Sequence, residues 1–253
     1  MPNDSNTHLH SQLAETQREL AQAKADLTQL KAEYQEFVYI ISHDLSAPLR
    51  QIEGFSEMVL ERHKDDFDDK SKRHFDFILK AGHSIRNILD DLTGYSRIIK
   101  RDEPFTDIDL NVIISSNLAE LSSVIESSSA SISIDTMPIV KGDEELISQM
   151  FYHLIHNALH YHLPNTPANI TLSVDELDNF WQFCITDDGI GIPENIHEKI
   201  FKMFRRGVSE KKYTGAGVGL TYVQKILTKH QGSIWLKSEK GIGSSFYFTL
   251  RKA

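Results

Sequence analysis

A histidine and an aspartate stand side by side, as His43 and Asp44, in a stretch with the apolar spacing of a helix. Neutral imidazole is a good nucleophile, and a neighbouring carboxylate can orient the ring or accept its proton. Pro48 follows one turn later and has no N–H to bond to the carbonyl of Asp44, which predicts a kink just after the pair. The chain has 12 histidines, so this pair alone does not define a catalytic site.

A glycine-rich stretch in the last quarter of the chain is a candidate phosphate site. It stands directly before a helical apolar pattern and consists of Gly215, Gly217, Gly219 and Leu220. Glycines let backbone N–H groups come close to a phosphate, and a helix N-terminus favours the negative charge. The polar loop before it contains Lys211 and Lys212, whose ammonium groups could reach a terminal phosphate. Alone, the glycine spacing is a weak signal, because many turns use glycine.

Two further motifs place polar side chains in apolar surroundings. Asp187 ends a predicted strand and precedes Gly189 and Gly191, so its carboxylate could accept a hydrogen bond from an exocyclic amine. Asn157 lies in the middle of an apolar helix, where an amide needs a partner and is best explained by a ligand. The same helix pattern also carries His153, His160 and Tyr161.

The elements that must position these groups begin with a heptad repeat before His43. Apolar residues recur at every seventh position, namely Leu13, Leu20, Leu27, Tyr34 and Ile41. This spacing predicts a coiled coil, with a long helix packed on a globular body as the alternative. The charged stretch 61–73 predicts a hairpin tip, and 75–99 predicts a second amphipathic helix. Two such helices form half of a four-helix bundle, so we expect a homodimer.

After Pro104 the pattern changes to mixed helices and strands. Helices are predicted at 110–127, 143–162, 193–204 and 220–230, and strands at 131–135, 169–174, 180–186, 233–237 and 245–250. This order predicts an α+β sandwich in which helices cover one face of the sheet. The expected segments are a disordered tail (the first seven residues) and coiled coil over 1–36, a helical hairpin over 37–104, and a nucleotide-binding domain over 105–253.

Composition excludes several classes of function. A net charge of -9 argues against a nucleic-acid partner, which requires a basic face. The single cysteine, Cys184, excludes an internal disulfide and fits a reducing cytosol. No apolar run is long enough to span a bilayer, and the N-terminus has no signal-peptide core, so we expect a cytoplasmic protein without a membrane segment.

The order of these motifs resembles that of bacterial two-component sensor histidine kinases over about residues 37–253. His43 and Asp44 are similar to the phosphoacceptor box of the HisKA-type domain. Residues 153–161 are similar to the family's asparagine box, and residues 187–193 to its first glycine box. Residues 200–204 are similar to the phenylalanine box, and residues 215–220 to the second glycine box. The resemblance implies a dimeric hairpin followed by a Bergerat-type ATP-binding domain, with ATP and Mg²⁺ as cofactors. It also implies that Asp187 contacts the adenine and that the second glycine box holds the phosphates under a mobile lid. Magnesium would be held near Asn157, with His153 as a second candidate ligand.

The expected function is therefore autophosphorylation by ATP. His43 would attack the γ-phosphate, and Asp44 would orient the His43 ring and accept its proton. The phosphoryl group would then pass to an aspartate in the receiver domain of a separate response regulator. A separate soluble sensor protein is expected to supply the input. Three positions depart from the commonest family pattern: His153 replaces asparagine, His160 replaces lysine or arginine, and Ala47 replaces threonine or asparagine.

Two other functions remain open. A conformational ATPase resembles this chain in the nucleotide motifs. Such proteins carry a glutamate that activates water four residues before the box asparagine, and this chain has His153 at that position. A nucleotide-binding scaffold without catalysis is the other alternative. Helical spacing also permits a zinc site from His153, His156, His160 and His162, although Asn157 in the same helix favours a nucleotide.

The remaining candidates have ordinary structural interpretations. Four histidines are predicted to lie on the surface, namely His156, His162, His197 and His230. Phe201 and Phe204 are predicted to belong to the core rather than to contact a ligand. Cys184 is predicted to be buried and inert within its strand.

Overall fold

A computed structural model of the chain describes residues 3–64, 66–101, 103–164, 166–202 and 217–253, and for residues 3–11, 99 and 100 it describes the backbone alone. The chain divides into two compact units, Met1–Ser96 and Arg97–Ala253. Within the described ranges, no helix combines the length and the apolar character needed to cross a bilayer.

The first unit is a hairpin of two long helices, α1 (Asn3–Arg62) and α2 (Asp69–Lys100). Because α1 begins at Asn3, the chain is helical where a disordered tail was expected, and the polar N-terminal residues extend the heptad helix. The hairpin tip is shorter than the charged stretch 61–73, because α2 already begins at Asp69. Asp68 caps α2 by accepting a hydrogen bond from the Ser71 N–H at 2.8 Å.

Helix α1 continues through Pro48. The proline removes one backbone hydrogen bond, the one that the carbonyl of Asp44 would accept, without ending the helix. Two residues before Pro48, the hydroxyl of Ser46 donates to the carbonyl of Ser42 at 2.5 Å. The long helix therefore places His43 directly before a locally weakened turn.

The two helices pack through a stripe that includes Val38, Leu49 and Leu89, all buried. Glu53 is also buried and forms an ion pair with Arg86. Gly82 makes room for this carboxylate, since a Cβ there would lie 2.9 Å from Glu53 Cγ. A second apolar stripe stays exposed in the single chain, with Leu45, Ile52, Phe55, Ile78 and Ile85.

The second unit is a two-layer α/β domain. Its strands are β1 (Thr106–Asp109), β2 (Ser131–Ile134), β3 (Ile139–Gly142), β4 (Asn169–Glu176), β5 (Phe180–Asp187), β6 (Ile234–Glu239) and β7 (Gly243–Arg251). Five strands form one sheet in the order β2-β4-β5-β7-β6, and β1 pairs with β3 in a separate ribbon. All these pairs are antiparallel except β2 with β4, which is parallel.

Helices cover one face of the five-stranded sheet. Of these, α5 (Glu144–His160) packs against β5 and α6 (Gly219–Lys229) packs against β7. Helix α3 (Leu110–Glu120) packs against α5, and the short α4 (Ser122–Ser127) follows α3. Phe151 of α5 meets Phe183 of β5 and Phe248 of β7 edge to face, with ring centroids 6.0 and 5.6 Å apart. The expected architecture, a helical hairpin followed by an α+β sandwich, is confirmed.

Several element predictions were wrong in detail. In the helix predicted at 193–204, the described residues up to 202 form a short 3-10 turn, Glu194–Ile196, followed by non-helical turns. There Ile200 reaches the core from a turn, without a helix. The helix predicted at 110–127 is interrupted at Leu121, and the four-residue strands β1 and β3 were too short to show an alternating pattern.

Candidate active site

The histidine–aspartate pair lies on the open surface of α1. The Nδ1 atom of His43 is 3.1 Å from Oδ1 of Asp44, and the two side chains are 74% and 69% exposed. When Nδ1–H donates to the carboxylate, the lone pair is on Nε2, which makes Nε2 the nucleophilic atom. Such exposure suits a group that must meet the phosphate of another molecule. Ala47, one turn further on, is exposed and offers neither a donor nor an acceptor.

Helix α5 carries the central amide of the nucleotide motifs. Asp143 caps the helix by accepting from the Leu146 N–H, and Asn157 is half-buried near its other end. His153 lies one turn before Asn157 on the same face. Burial, together with the neighbouring His156, lowers the pKa of His153 to about 4, so this imidazole is neutral at physiological pH.

His153 packs against the start of α6. Its ring lies 5.2 Å from the ring of Tyr222, and a Cβ on Gly219 would lie 3.4 Å from its Nδ1 atom. This contact brings the second glycine stretch next to the asparagine-bearing face of α5. Gly217 has a φ of 75°, a left-handed conformation that favours glycine, and Leu220 is half-buried in the first turn of α6. Lys211, Lys212, Gly215 and Phe204 lie outside the described residues.

A column of aromatic rings runs along the outer side of α5. Tyr152 stacks on His156 at 5.9 Å, and His156 stacks on His160 at 5.6 Å. His160 then meets Tyr161 edge to face at 4.9 Å. In the part of the chain that the structure describes, no group of three or more His, Cys, Asp or Glu side chains could hold a metal ion, so the zinc interpretation gains no support.

Asp187 ends β5 beside the first glycine stretch. Burial raises the pKa of its carboxyl to about 6, although the backbone N–H groups of Gly189 and Ser244 both donate to it. The carboxylate is thus available to accept a hydrogen bond from an amine, at the cost of a partly desolvated charge. Ser244 was missed from the sequence, since only the β5–β7 register brings it opposite Asp187.

The glycines beside Asp187 are needed for close backbone packing. A side chain on Gly189 would collide with the carbonyl oxygen of Tyr161, which also accepts a hydrogen bond from the Ile190 N–H at 3.0 Å. Gly191 has a φ of 62° and abuts the backbone of Glu239. The end of α5, the end of β5 and the start of α6 therefore meet at one place in the second unit.

Two other interpretations need correction. His230 was predicted at the surface but is 2% exposed: its Nδ1 donates to the Ile226 carbonyl at 2.8 Å, and its Nε2 accepts from the Asp143 N–H at 3.0 Å. Cys184 was predicted to be buried but is half-exposed on the sheet face opposite Phe183, 3.4 Å from the Thr186 hydroxyl. Cys184 is not buried because side chains alternate along β5, which places Cys184 on the sheet face that the helices do not cover.

Comparison with known proteins agrees with this arrangement. Residues 33–100 match the His Kinase A (phospho-acceptor) domain, and residues 142–253 match the histidine kinase-, DNA gyrase B-, and HSP90-like ATPase family. The phytochrome-like protein Cph1 of Synechocystis sp. is 34% identical over 232 residues, which are 92% of this chain and 31% of that protein. The chain therefore spans about a third of the length of that relative.

Two solved structures share the fold. Full-length ShkA in complex with AMPPNP aligns with a TM-score of 0.63 at 18% identity, covering 86% of this chain and 46% of that one. The histidine kinase ThkA in complex with the response regulator protein TrrA aligns with a TM-score of 0.60 at 20% identity, covering 88% of this chain and 64% of that one.

A helical hairpin with an exposed histidine, followed by an ATPase-type domain, defines a class of signalling proteins that unite a phosphoacceptor and a nucleotide domain in one chain. The chain belongs to the two-component sensor histidine kinase family. The resemblance seen in the sequence motifs is thus confirmed.

Proposed function

We propose that this chain is an ATP-dependent kinase that phosphorylates its own His43 and then passes the phosphoryl group to an aspartate of a separate response regulator. The proposal rests on the presence of two features in one chain. These are the exposed His43–Asp44 pair, 3.1 Å apart, and the candidate nucleotide site around Asp187. The family matches over the two segments that contain these groups support the same function.

In the proposed reaction, Nε2 of His43 attacks the γ-phosphorus in line. The N–P bond forms as the bond from the γ-phosphorus to the bridging oxygen breaks, and ADP leaves with that electron pair. Asp44 holds the Nδ1–H, fixes the tautomer and accepts the proton as the ring gains positive charge. The phosphorylated imidazole then donates the group to a regulator carboxylate.

The nucleotide is proposed to lie where α5, β5 and α6 meet. The Asp187 carboxylate accepts from the adenine amine, and backbone N–H groups at Gly217 and Gly219 face the phosphates at the start of α6. Further contacts are assigned to His160, Tyr161, Gly189, Gly191, Lys211, Lys212, Gly215 and Leu220, as the family resemblance implies.

A magnesium ion fits this site through Asn157. An amide oxygen is a hard ligand of the kind that Mg²⁺ prefers, and this amide is half-buried on the helix face that meets Gly219. The neutral ring of His153 is the second candidate ligand, one turn away. When bound, the ion would neutralise charge on the β- and γ-phosphates.

The proposed assembly is a homodimer that works with two other proteins. Pairing of two hairpins would cover the exposed stripe of Leu45, Ile52 and Phe55 on α1 and the matching positions on α2. The structure of ThkA with the regulator TrrA supports a receiver domain as the partner that accepts the phosphoryl group. We further propose a separate sensor protein as input, and functional segments at 1–36, 37–104 and 105–253.

Labelling with γ-³²P-ATP tests this function against its alternatives. The kinase should acquire label that is lost in acid and retained in base, as expected for a phosphoramidate. A conformational ATPase would release phosphate without retaining label, and an inactive scaffold would bind nucleotide and do neither. Label stable to acid would point to a hydroxyl acceptor and would contradict the proposal.

A further inference from the structure

The segment that leads from α2 into the second unit is tied down by charged groups. Its described residues are 98–101 and 103–105, and we call this stretch the linker segment. Lys229 at the end of α6 donates to the carbonyl of Ile98 at 3.5 Å. The guanidinium of Arg101 pairs with Asp143 and with Glu145, reaching the latter at 2.5 Å.

The Arg101 ion pair is partly shielded from solvent. Asp143 is 1% exposed on its side chain and Arg101 is 32% exposed, and hydrogen bonding to Asp143 raises the pKa of Arg101. One carboxylate oxygen of Asp143 meets Arg101 while the other accepts from the Leu146 N–H at 3.2 Å. The linker segment is thereby joined to the residue that caps α5.

A stacked ring pair makes the next attachment. The rings of Phe105 and His230 lie 4.6 Å apart with planes within 3° of parallel. His230 is itself fixed, because both of its ring nitrogens are hydrogen-bonded, one to the Ile226 carbonyl and the other to the Asp143 N–H. Phe105 therefore stacks on a ring with a single orientation.

These attachments lie at the opposite ends of the helices that carry the nucleotide motifs. They involve the first turn of α5 and the last turn of α6, whereas Asn157 is near the end of α5 and Gly219 begins α6. At 1.5 Å per residue, each separation along the helix is roughly 15–20 Å. The linker attachments can therefore be broken without removing any residue assigned to the nucleotide.

We propose that Arg101 and Phe105 are positioning residues for the phosphoryl-transfer step, fixing the direction in which the linker segment leaves the catalytic unit. This inference rests on the proposed kinase function. His43 belongs to the first unit and the nucleotide motifs belong to the second. A linker with a fixed exit restricts the arrangements that the two units can sample, which raises the effective concentration of the γ-phosphate at the imidazole.

The test uses the full chain with the double variant Arg101→Gln/Phe105→Ala. The initial labelling rate at saturating ATP should fall about tenfold, while the dissociation constant for a fluorescent ATP analogue should change by less than about twofold. The predicted split between kcat and nucleotide affinity separates positioning from a general loss of structure, which would weaken both. Arg101→Lys/Phe105→Tyr keeps a cation and a stacking ring and should recover most of the rate.

A matched control removes an equivalent pair of contacts elsewhere on the same unit. Lys252→Gln/Trp235→Ala breaks the 2.7 Å ion pair of Lys252 with Glu176 and the Trp235–Tyr247 ring stack at 5.8 Å. This variant should label at the wild-type rate. The proposal is overturned if the linker variant labels as fast as the wild type, if both variants slow equally, or if nucleotide affinity falls in step with the rate.

The proposal and the kinase function fail in different ways. A wild-type chain that binds the ATP analogue but acquires no label would refute the kinase function, and this inference with it. A wild-type chain that labels normally, with a linker variant that labels equally well, would refute the positioning role alone.

Discussion

At the scale of single residues, the nucleotide site places a carboxylate and an imidazole in surroundings that disfavour charge. Burial raises the pKa of Asp187 to about 6 and lowers that of His153 to about 4. The ionised form of Asp187 is the form that its proposed contact with adenine requires. The lowered pKa of His153 keeps a neutral ring against the start of α6. Each shift leads to a measurable dependence on pH.

Nucleotide affinity should weaken as the pH falls below about 6. In the proposed role of Asp187, its ionised carboxylate accepts the adenine amine, so below its pKa binding must release a proton, and the dissociation constant should rise toward tenfold per pH unit. Nucleotide phosphates titrate in the same range, so Asp187→Asn is the control. Its pH dependence should report the phosphates alone, and identical profiles for the two proteins would contradict the role of Asp187.

The second unit should lose stability as the pH falls from about 6.5 toward 4. The folded pKa of His153 lies below that of the unfolded chain, so protonation favours unfolding, by about 2 kcal/mol between pH 7 and pH 5. Both tryptophans, Trp181 and Trp235, lie in this unit, so their fluorescence in urea reports its unfolding. His153→Asn should reduce the loss of stability between pH 7 and pH 5 by that amount. The pKa values of His156 and His230 are also lowered, so these two histidines account for the pH dependence that the variant retains. A loss equal to that of the wild type would show that His153 titrates normally.

At the scale of elements, periodic patterns predicted the long helices and most strands of the main sheet. Phe183 and Ile185 are buried and alternate with less buried neighbours, so β5 could be recognised without tertiary information. The β1–β3 ribbon could not, since each strand has four residues and forms through pairing across a distant part of the chain. His230 was assigned to the surface for the same reason, because its partner Asp143 is far away in sequence.

The turn after His43 predicts weak phosphatase activity. In relatives, the resemblance ties that activity to a threonine or asparagine four residues after the histidine, on the same helix face, where it can hold a water in line with a phosphoaspartate. Ala47 is exposed at that position and cannot hold a water. The half-life of a phosphorylated receiver domain, without ADP, should therefore change by less than about twofold when the protein is added, because no group aligns the water.

The variant Ala47→Thr supplies the missing hydroxyl and should shorten that half-life severalfold, with the labelling rate of His43 unchanged. Ser46→Thr, a neighbouring change that also adds a methyl group, is the control and should have no effect. Rapid dephosphorylation by the wild-type protein would show that another residue positions the water.

At the scale of the whole molecule, the sequence order of five short motifs predicted the two-part architecture better than any single motif did. Gly189, Asn157 and Gly219 are far apart in the sequence, yet they converge through the contacts of Tyr161 and His153. The attachments of the linker segment were not predictable, since Arg101 and Phe105 stand in no recognisable motif. Their partners became apparent only from the packing of α5 against α6.

Removing residues 1–36 should affect regulation more than nucleotide binding. The heptad positions Leu13, Leu20 and Leu27 are about half exposed in the single chain, as expected for a seam that another helix covers. The truncated chain should therefore dimerise more weakly in sedimentation experiments and label at an altered rate, with ATP affinity unchanged. An untruncated chain that is monomeric at micromolar concentration would contradict this arrangement.

The most direct measurement of the central claim is the site of phosphorylation. His43→Gln should abolish acid-labile labelling by γ-³²P-ATP while the affinity for the ATP analogue stays within about twofold of the wild type. The matched control is His63→Gln, which removes another exposed histidine of the hairpin, one whose Nδ1 lies 3.0 Å from Oδ2 of Asp66. That control should label like the wild type. Label that persists in His43→Gln, or that disappears in His63→Gln, would contradict the assignment of His43 as the phosphoacceptor.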